Sequence, residues 1–323
     1  MNTPLKEYPF YLKSTVIIFC LVLISYSLAN LKGIFVPIAF AVIVSILLNS
    51  LVNKLRRRGV KRVLAIVIAL FLGMVVVCGI LYFISTQLMN FSDNLPALKI
   101  KFNEHLTELQ RWVAAHLKIP VSKQQKITND ALSGSQSFLG SALGGAFNTI
   151  GFIFLVPIYV FLLLYYKTLI LNFFHEVFAE ENTGKVSAVL TETKSAIRSY
   201  MVGLLLEALV VAVMNTVALL LLGVDYAILL GVIGALLNML PYIGGIVAIA
   251  LPVIIASVTK DGFSTQLGIL GAYAIIQFID NNFLLPFLVS SRLKINALVS
   301  VVVFLFGGGF WVVSGFVFSF PFF

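Results

Sequence analysis

Residues Lys54–Ile84 read KLRRRGVKRVLAIVIALFLGMVVVCGILYFI, and this stretch decides the fold. Its first nine residues carry six basic and no acidic side chains, whereas the 22 that follow contain no Asp, Glu, Lys, Arg or His. About 20 apolar residues in a helix cross the hydrocarbon core of a bilayer. Basic residues concentrate in the cytoplasmic loops beside such helices. The stretch therefore predicts a transmembrane helix that leaves the cytoplasm after Arg62.

The composition extends this interpretation to the whole chain. The 323 residues are 60% apolar and only 11% charged, with a mean hydropathy of +1.05. Soluble domains carry about 25% charged residues, so most of this surface must face lipid. Only helices and closed barrels satisfy their backbone in lipid, and the apolar runs are too long for barrel strands. The expected fold is therefore an all-α, polytopic membrane protein.

The net charge of +9 comes from basic residues in loops beside apolar runs. A nucleic-acid-binding protein would instead gather them in a stripe with polar residues between them. We therefore expect the lipid bilayer as a partner and no nucleic acid.

Eight apolar stretches are candidate membrane segments. They comprise residues 14–31, 34–52, 63–84, 148–166, 201–222, 226–258, 266–289 and 297–320. The sixth is too long and too broken for one simple span, so it either crosses once or doubles back as a hairpin. The distribution of basic residues places both the N-terminus and segment 167–200 in the cytoplasm.

The predicted organisation has three parts. It consists of N-terminal transmembrane helices in 1–84, an extracytoplasmic amphipathic insert in 85–147, and a C-terminal transport region in 148–323 that includes the cytoplasmic amphipathic segment 167–200. Within the insert, Asn94 before Pro96 predicts the start of a new helix.

Glu207 and Asn215 form the first of three polar clusters inside the apolar stretches. They lie eight residues apart, which places them on one face of a helix. An ionisable side chain inside a span costs about 2.5–3.5 kcal/mol on insertion scales and usually lines a cavity or pairs with another group. A structural hydrogen bond and a contact to an ion, a proton or a substrate both fit this pattern.

The second cluster is NMLPYIGG, Asn238–Gly245. Its candidate site residues are Asn238, Pro241, Tyr242, Gly244 and Gly245. Proline removes a backbone donor and glycine permits a sharp turn, so the helix should break here. Broken helices form the binding sites of many secondary transporters, although a kink alone is also compatible with the sequence.

The third cluster is QFIDNNFLLP, Gln277–Pro286. Its candidate site residues are Gln277, Asp280, Asn281, Asn282 and Pro286. Carboxylate and amide oxygens suit a hard cation or a polyhydroxylated solute, and Asp280 is a candidate proton carrier. The alternative is that these groups cap a helix end.

No enzymatic motif accompanies these clusters. The three histidines, His105, His116 and His175, have no matching cysteines or carboxylates, and the sequence contains no phosphate loop or nucleophile elbow. The chain is therefore not expected to be an enzyme or to hold a metal or cofactor. Any active transport would use sodium or a proton as the coupling ion.

Two blocks of the C-terminal half resemble the autoinducer-2 exporter-like (AI-2E) family of bacterial membrane transport proteins. The first, Gly223–Pro252, contains the Pro-Tyr-Ile-Gly turn that begins at Pro241. The second, Gln277–Gly315, contains the Gln-x-x-acid-x-Asn block, then Pro286 and three consecutive glycines from Gly307. The order and spacing of these blocks match the family pattern.

The resemblance implies eight membrane segments, cytoplasmic termini and a homo-oligomer, for which a pentamer is one form. It also implies export of small molecules such as the quorum-sensing signal autoinducer-2, or exchange of sodium or lithium for protons in some members.

The expected function is a secondary transporter of the bacterial inner (plasma) membrane that exports a small polar solute. The alternatives are a sodium(lithium)/proton antiporter, which would bind a monovalent cation, and a membrane scaffold without transport activity.

Overall fold

The structure is a computed structural model that describes residues 9–117, 120, 154–177, 183–239, 243–260 and 262–289. Every regular element in these residues is helical, so the predicted all-α fold is confirmed there. The helices are α1 (Phe10–Asn30), α2 (Lys32–Arg57), α3 (Arg62–Leu117), α4 (Phe154–Tyr165), α5 (Lys167–Val177), α6 (Thr183–Leu221), α7 (Ala227–Asn238), α8 (Ile243–Thr259) and α9 (Ser264–Ile279), followed by a π-helical segment, Asp280–Val289.

Five of the described helices are long and apolar enough to cross a membrane: α1, α2, α3, α6, and α9 with the π-helical segment. Helices α4 and α5 meet at a bend of 65°, and counting them as one broken span gives six. Of the eight predicted segments, 297–320 lies outside the described residues. The sixth, 226–258, is not a single span.

That sixth stretch forms a helical hairpin of α7 and α8. Ala227 and Leu230 near the start of α7 pack with Ile255 and Ala256 near the end of α8, so the two helices run in opposite directions. The 12 residues of α7 and the 17 of α8 are each fewer than the roughly 20 that a span needs. The stretch therefore doubles back within the protein.

Left-handed glycines end two of the helices that frame the bundle. Gly223 has φ +66° after α6 and Gly59 has φ +88° after α2. The next amides, of Val224 and Val60, donate to the carbonyl oxygens of Leu219 and Leu55. These are the bonds by which a left-handed residue satisfies the last carbonyls of a helix. Both helices can therefore end and the chain can turn sharply.

Helix α3 differs from the sequence-based expectation because it continues without a break from Arg62 to Leu117, with Pro96 in its interior. No new helix begins at Asn94. A proline inside a helix removes one backbone hydrogen bond and kinks or weakens it, but the flanking residues keep their own bonds. The boundary predicted at Ile84 therefore falls within a single helix.

The hairpin packs mainly on α6, and small residues allow the close approach. Helices in lipid associate through close van der Waals contact, which glycine favours. A Cβ on Gly231 of α7 would lie 2.7 Å from the backbone nitrogen of Thr216 in α6. At the other end of α7, Met239 packs against the cluster of Ile197, Tyr200 and Leu204 on α6.

Candidate functional site

A small cavity lies where α6, the α7–α8 hairpin and α9 meet. Its volume is about 10 Å³, close to the space that one water molecule needs. It is lined by Val211, Asn215, Gly234, Asn238, Gly245, Ala248, Tyr273, Ile276, Gln277 and Asp280. All three polar clusters of the sequence therefore contribute a side chain to one buried point.

Two carboxyl groups lie in contact beside this cavity. Glu207 and Asp280 are 5% and 2% exposed, and their carboxyl groups are within hydrogen-bonding reach of each other. Both are acceptors when ionised, so a proton on one of them is needed to make that contact a hydrogen bond. Without it, Glu207 Oε2 and Asp280 Oδ1 have no donor among the described residues. The pair can therefore hold and release a proton.

Amide side chains complete the surroundings of Asp280. Asn238 Nδ2 donates to Asp280 Oδ2 at 2.8 Å, so the hairpin and α9 are joined at the carboxyl pair. Asn215 is 2% exposed, and its Oδ1 has no donor within the described part of the chain. A proton or a small cation binds to oxygen atoms that have no other partner, and carboxylate and amide oxygens of this kind are present here.

Two glycines of the hairpin leave room for these amides. The Asn215 side chain lies 3.3 Å from where a Cβ on Gly234 would stand. A Cβ on Gly245 would lie 3.4 Å from Gln277 Oε1 and 3.8 Å from Asn238 Oδ1. The absence of side chains at both positions thus lets α6 and α9 bring polar groups to the hairpin.

The change from α-helix to π-helix at Asp280 sets the direction of the acidic side chain. Wider π turns that interrupt α-helices occur frequently at functional sites. Asp280 is buried, whereas Asn281 and Asn282 directly after it are exposed. One residue of the acid–amide block therefore enters the cavity, and the next two point away.

The structure brings together Glu207, Asn215, Asn238, Gly245, Gln277 and Asp280, and it separates the other predicted site residues from them. Asn281 Oδ1 accepts from Gln277 Nε2 at 3.1 Å, and Asn282 Nδ2 donates to the Phe278 carbonyl at 2.8 Å. Pro286 is exposed in the π-helical segment.

Gly244 is a packing residue, because a Cβ there would overlap the carbonyl of Leu237. Pro241 and Tyr242 lie outside the described residues.

Tyr273 is a cavity residue that the sequence analysis missed. It is 5% exposed, and its hydroxyl has no partner among the described residues. It precedes Gln277 by four residues and Asp280 by seven, so the helical period of α9 places all three on one face. This spacing is the sequence signal that could have identified Tyr273 as a cavity residue.

Replacing Asn238 by alanine should slow transport by roughly tenfold or more. Asp280 Oδ2 would lose the hydrogen bond that it accepts from Asn238 Nδ2, and a hydrogen bond to a charged group contributes about 1.5–3 kcal/mol. The measurement is initial transport rate in reconstituted liposomes. Asn282→Ala is the matched control, because this amide is exposed and donates to the Phe278 carbonyl four residues earlier. Equal losses in both variants would contradict the assigned role of Asn238.

Comparison with known proteins identifies the family of the chain. The profile of the AI-2E family transporter matches residues 15–323. The chain belongs to the AI-2E transporter family. This confirms the resemblance found in the sequence and supports a transport role in a multi-pass membrane protein.

Individual members of the AI-2E family are similar in sequence to this chain along most of their length. The AI-2 transport protein TqsA of Escherichia coli (strain K12) is 25% identical over 299 residues, which are 92% of this chain and 85% of TqsA. YrrI of Bacillus subtilis (strain 168), named as a transport protein, is 24% identical over 304 residues, 90% of this chain and 84% of YrrI. PerM of Escherichia coli (strain K12), named as a permease, is 26% identical over 300 residues, 90% of this chain and 84% of PerM.

Proposed function

We propose that this AI-2E family member is a proton-coupled secondary transporter of the bacterial inner membrane. The Glu207–Asp280 pair carries the coupling proton, and the exported cargo is a small polar solute. Autoinducer-2 is the first candidate cargo, because TqsA carries that activity in its name.

The contact between two buried carboxyl groups carries this proposal. Two carboxylates side by side favour retention of one proton between them, because their like charges oppose a second ionisation. Carboxyl groups facing the interior of a helical bundle are the usual components of proton pathways in transporters. A scaffold protein would need no such pair, since amides alone can lock helices together.

A groove at the start of α6, the end that the sequence predicts to be cytoplasmic, supports a solute as cargo. It lies between α6 and the π-helical segment and has a volume of about 560 Å³, within the usual range for small-molecule sites. Lys194 and Arg198 line its outer part, and Gly203 and Leu206 line its inner part. Glu207 follows Leu206 directly in α6, so the inner part of the groove lies one residue along the chain from the carboxyl pair.

The test uses the purified chain in liposomes preloaded with autoinducer-2. Acidifying the outside should accelerate release of the solute, because protons that enter through the carboxyl pair drive export. Liposomes without protein and liposomes without a pH gradient are the controls. Release at the same rate with and without the gradient would contradict proton coupling. Absence of release would contradict this cargo.

Exchange of sodium or lithium for protons is the second candidate function. The small volume of the cavity favours it, because a space of about 10 Å³ suits a single water-sized species and not a sugar-like solute. Adding sodium or lithium outside proteoliposomes that contain neither ion should then alkalinise the inside, because the cation enters down its gradient and protons leave in exchange. An internal pH-sensitive dye reads this directly, without autoinducer-2.

A stable protein that moves neither solute nor protons would favour the scaffold alternative.

Assembly as a homo-oligomer, with a pentamer as one form, also stays a prediction of the family resemblance. Large apolar side chains on α1 and α3 are exposed on the single chain, among them Phe19 and Phe71. Lipid or a second copy of the chain would cover them equally well.

A further inference from the structure

A second cavity, remote in sequence from the carboxyl pair, lies where the end of α2, the start of α3 and helix α5 meet, a region that the sequence predicts to be cytoplasmic. Its volume is about 320 Å³. Its polar wall includes Asn49, Asn53, Arg56, Arg62, Lys167 and His175. Basic residues beside a span are expected on the cytoplasmic side, and here they line a single cavity that is open on one side.

The positive charges at this cavity face one another. Within the described residues, the charged neighbours that affect Lys167 are Lys194, Arg62 and Arg56, all of them cations. Burial lowers the pKa of the Lys167 ammonium, and these three charges lower it further. Like charges held together at a half-buried point repel each other, so an anion bound between them would remove a standing electrostatic cost.

The hydrogen bonds of these cations go to neutral oxygens. Lys167 Nζ donates to Asn49 Oδ1 at 3.3 Å. One guanidinium nitrogen of Arg62 donates to the carbonyls of Leu164 and Tyr165 at 3.2 and 2.6 Å. An ammonium has three donors and a guanidinium has five. Both side chains are thus positioned by the protein and keep further N–H groups for a ligand.

His175 adds an independent observation. Its Nδ1 atom is buried and has no hydrogen-bond partner among the described residues. A buried polar atom without a partner is costly, and a ligand that bonds to it would remove that cost. When protonated, Nδ1 donates, as the lysine and arginine groups around it do.

We propose that this cavity binds a phosphate group at the cytoplasmic surface of the membrane. A phosphate offers several acceptor oxygens and negative charge to two arginines, a lysine and a histidine, a combination typical of phosphate recognition. Basic pockets between membrane helices on this side are known to receive lipid headgroups. A soluble phosphate presents the same chemistry. The site is independent of the transport function proposed above.

The experiment uses the purified full-length chain with two phosphate sources. In one arm, the chain is reconstituted with phosphatidylglycerol or with phosphatidylcholine alone, then extracted, and retained lipid is counted by native mass spectrometry. In the other, inorganic phosphate is titrated against the thermal unfolding midpoint. Retention of phosphatidylglycerol assigns a headgroup, and a saturable phosphate-dependent shift assigns a soluble ligand. Absence of both overturns the proposal.

Lys167→Gln should weaken the binding by roughly tenfold, because it removes one charge-assisted hydrogen bond. Arg56→Gln should also weaken it, and it keeps the proposal testable if Lys167→Gln does not fold, because Arg56 is exposed. Lys185→Gln is the matched control: it makes the same charge change at an exposed position early in α6. A loss of equal size in the control would indicate general surface attraction and overturn the proposal.

Discussion

Asp280→Asn is expected to reduce gradient-driven transport by about 100-fold or more, the usual contribution of a positioned proton-transfer group. Asparagine has the size of aspartate and can still bond Asn238 and Glu207, so the helices should pack as before. It cannot exchange a proton, however, and the pair would lose its coupling group. The measurement is solute release or proton flux from proteoliposomes with and without a pH gradient, at equal protein content.

Asp225→Asn is the control for this experiment. It makes the same change of charge at an exposed residue between α6 and α7, and its rate should equal that of the unmodified chain. An unchanged rate in Asp280→Asn would remove the carboxyl pair from the mechanism. A folded Asp280→Asn protein that still releases solute down its concentration gradient would confirm that the substitution affects coupling alone.

Gly231→Ala should destabilise the protein more than the same substitution at a helix position where the added Cβ meets no other atom. Its added Cβ would lie 2.7 Å from the backbone nitrogen and 2.9 Å from the Cα of Thr216. These atoms belong to α6 itself and cannot rotate away as a side chain would. Overpacking of this kind costs about 1–3 kcal/mol and occasionally more. The expected result is a lower unfolding temperature in detergent, together with slower transport, because α6 and α7 both contribute to the cavity.

Gly271→Ala is the matched substitution on α9. Nothing lies within 4 Å of a Cβ at that position, and alanine favours a helix over glycine by up to about 1 kcal/mol. Its unfolding temperature should therefore stay equal or rise. Equal destabilisation of both variants would mean that the close contact between α6 and α7 does not determine stability.

The sequence predicted the helical fold because hydropathy reports burial in lipid directly. It also indicated Glu207, Asn238 and Asp280 as candidate site residues, since each is an expensive polar group in an apolar stretch. It could not decide between a single span and a hairpin for 226–258, because a proline–glycine break permits both. In the structure, a Cβ added to Gly234 of α7 would lie 3.6 Å from the Cβ of Ala248 in α8. Contacts of this kind between α7 and α8 show that the stretch is a hairpin.

The roles of individual polar residues were harder to predict than their location. Asn281 and Asn282 were grouped with Asp280 because they are adjacent in sequence. A π-helical segment has more residues per turn than an α-helix, so the face that each residue occupies cannot be read from an α-helical period. The same limit explains why Tyr273, on the regular part of α9, had a usable spacing signal and the two asparagines did not.

The continuous helix α3 offers a practical advantage for further work. Its 56 residues give a rod of roughly 84 Å, far longer than the roughly 30 Å of hydrocarbon. Phe91, at the end of its apolar portion, rests edge-on against Tyr226 with ring centroids 5.2 Å apart. An antibody fragment raised against the part of α3 beyond Phe91 would therefore serve as a fiducial for imaging. It would bind at a distance from the lipid. Its position would report the tilt of α3, the helix that contacts the beginning of the hairpin.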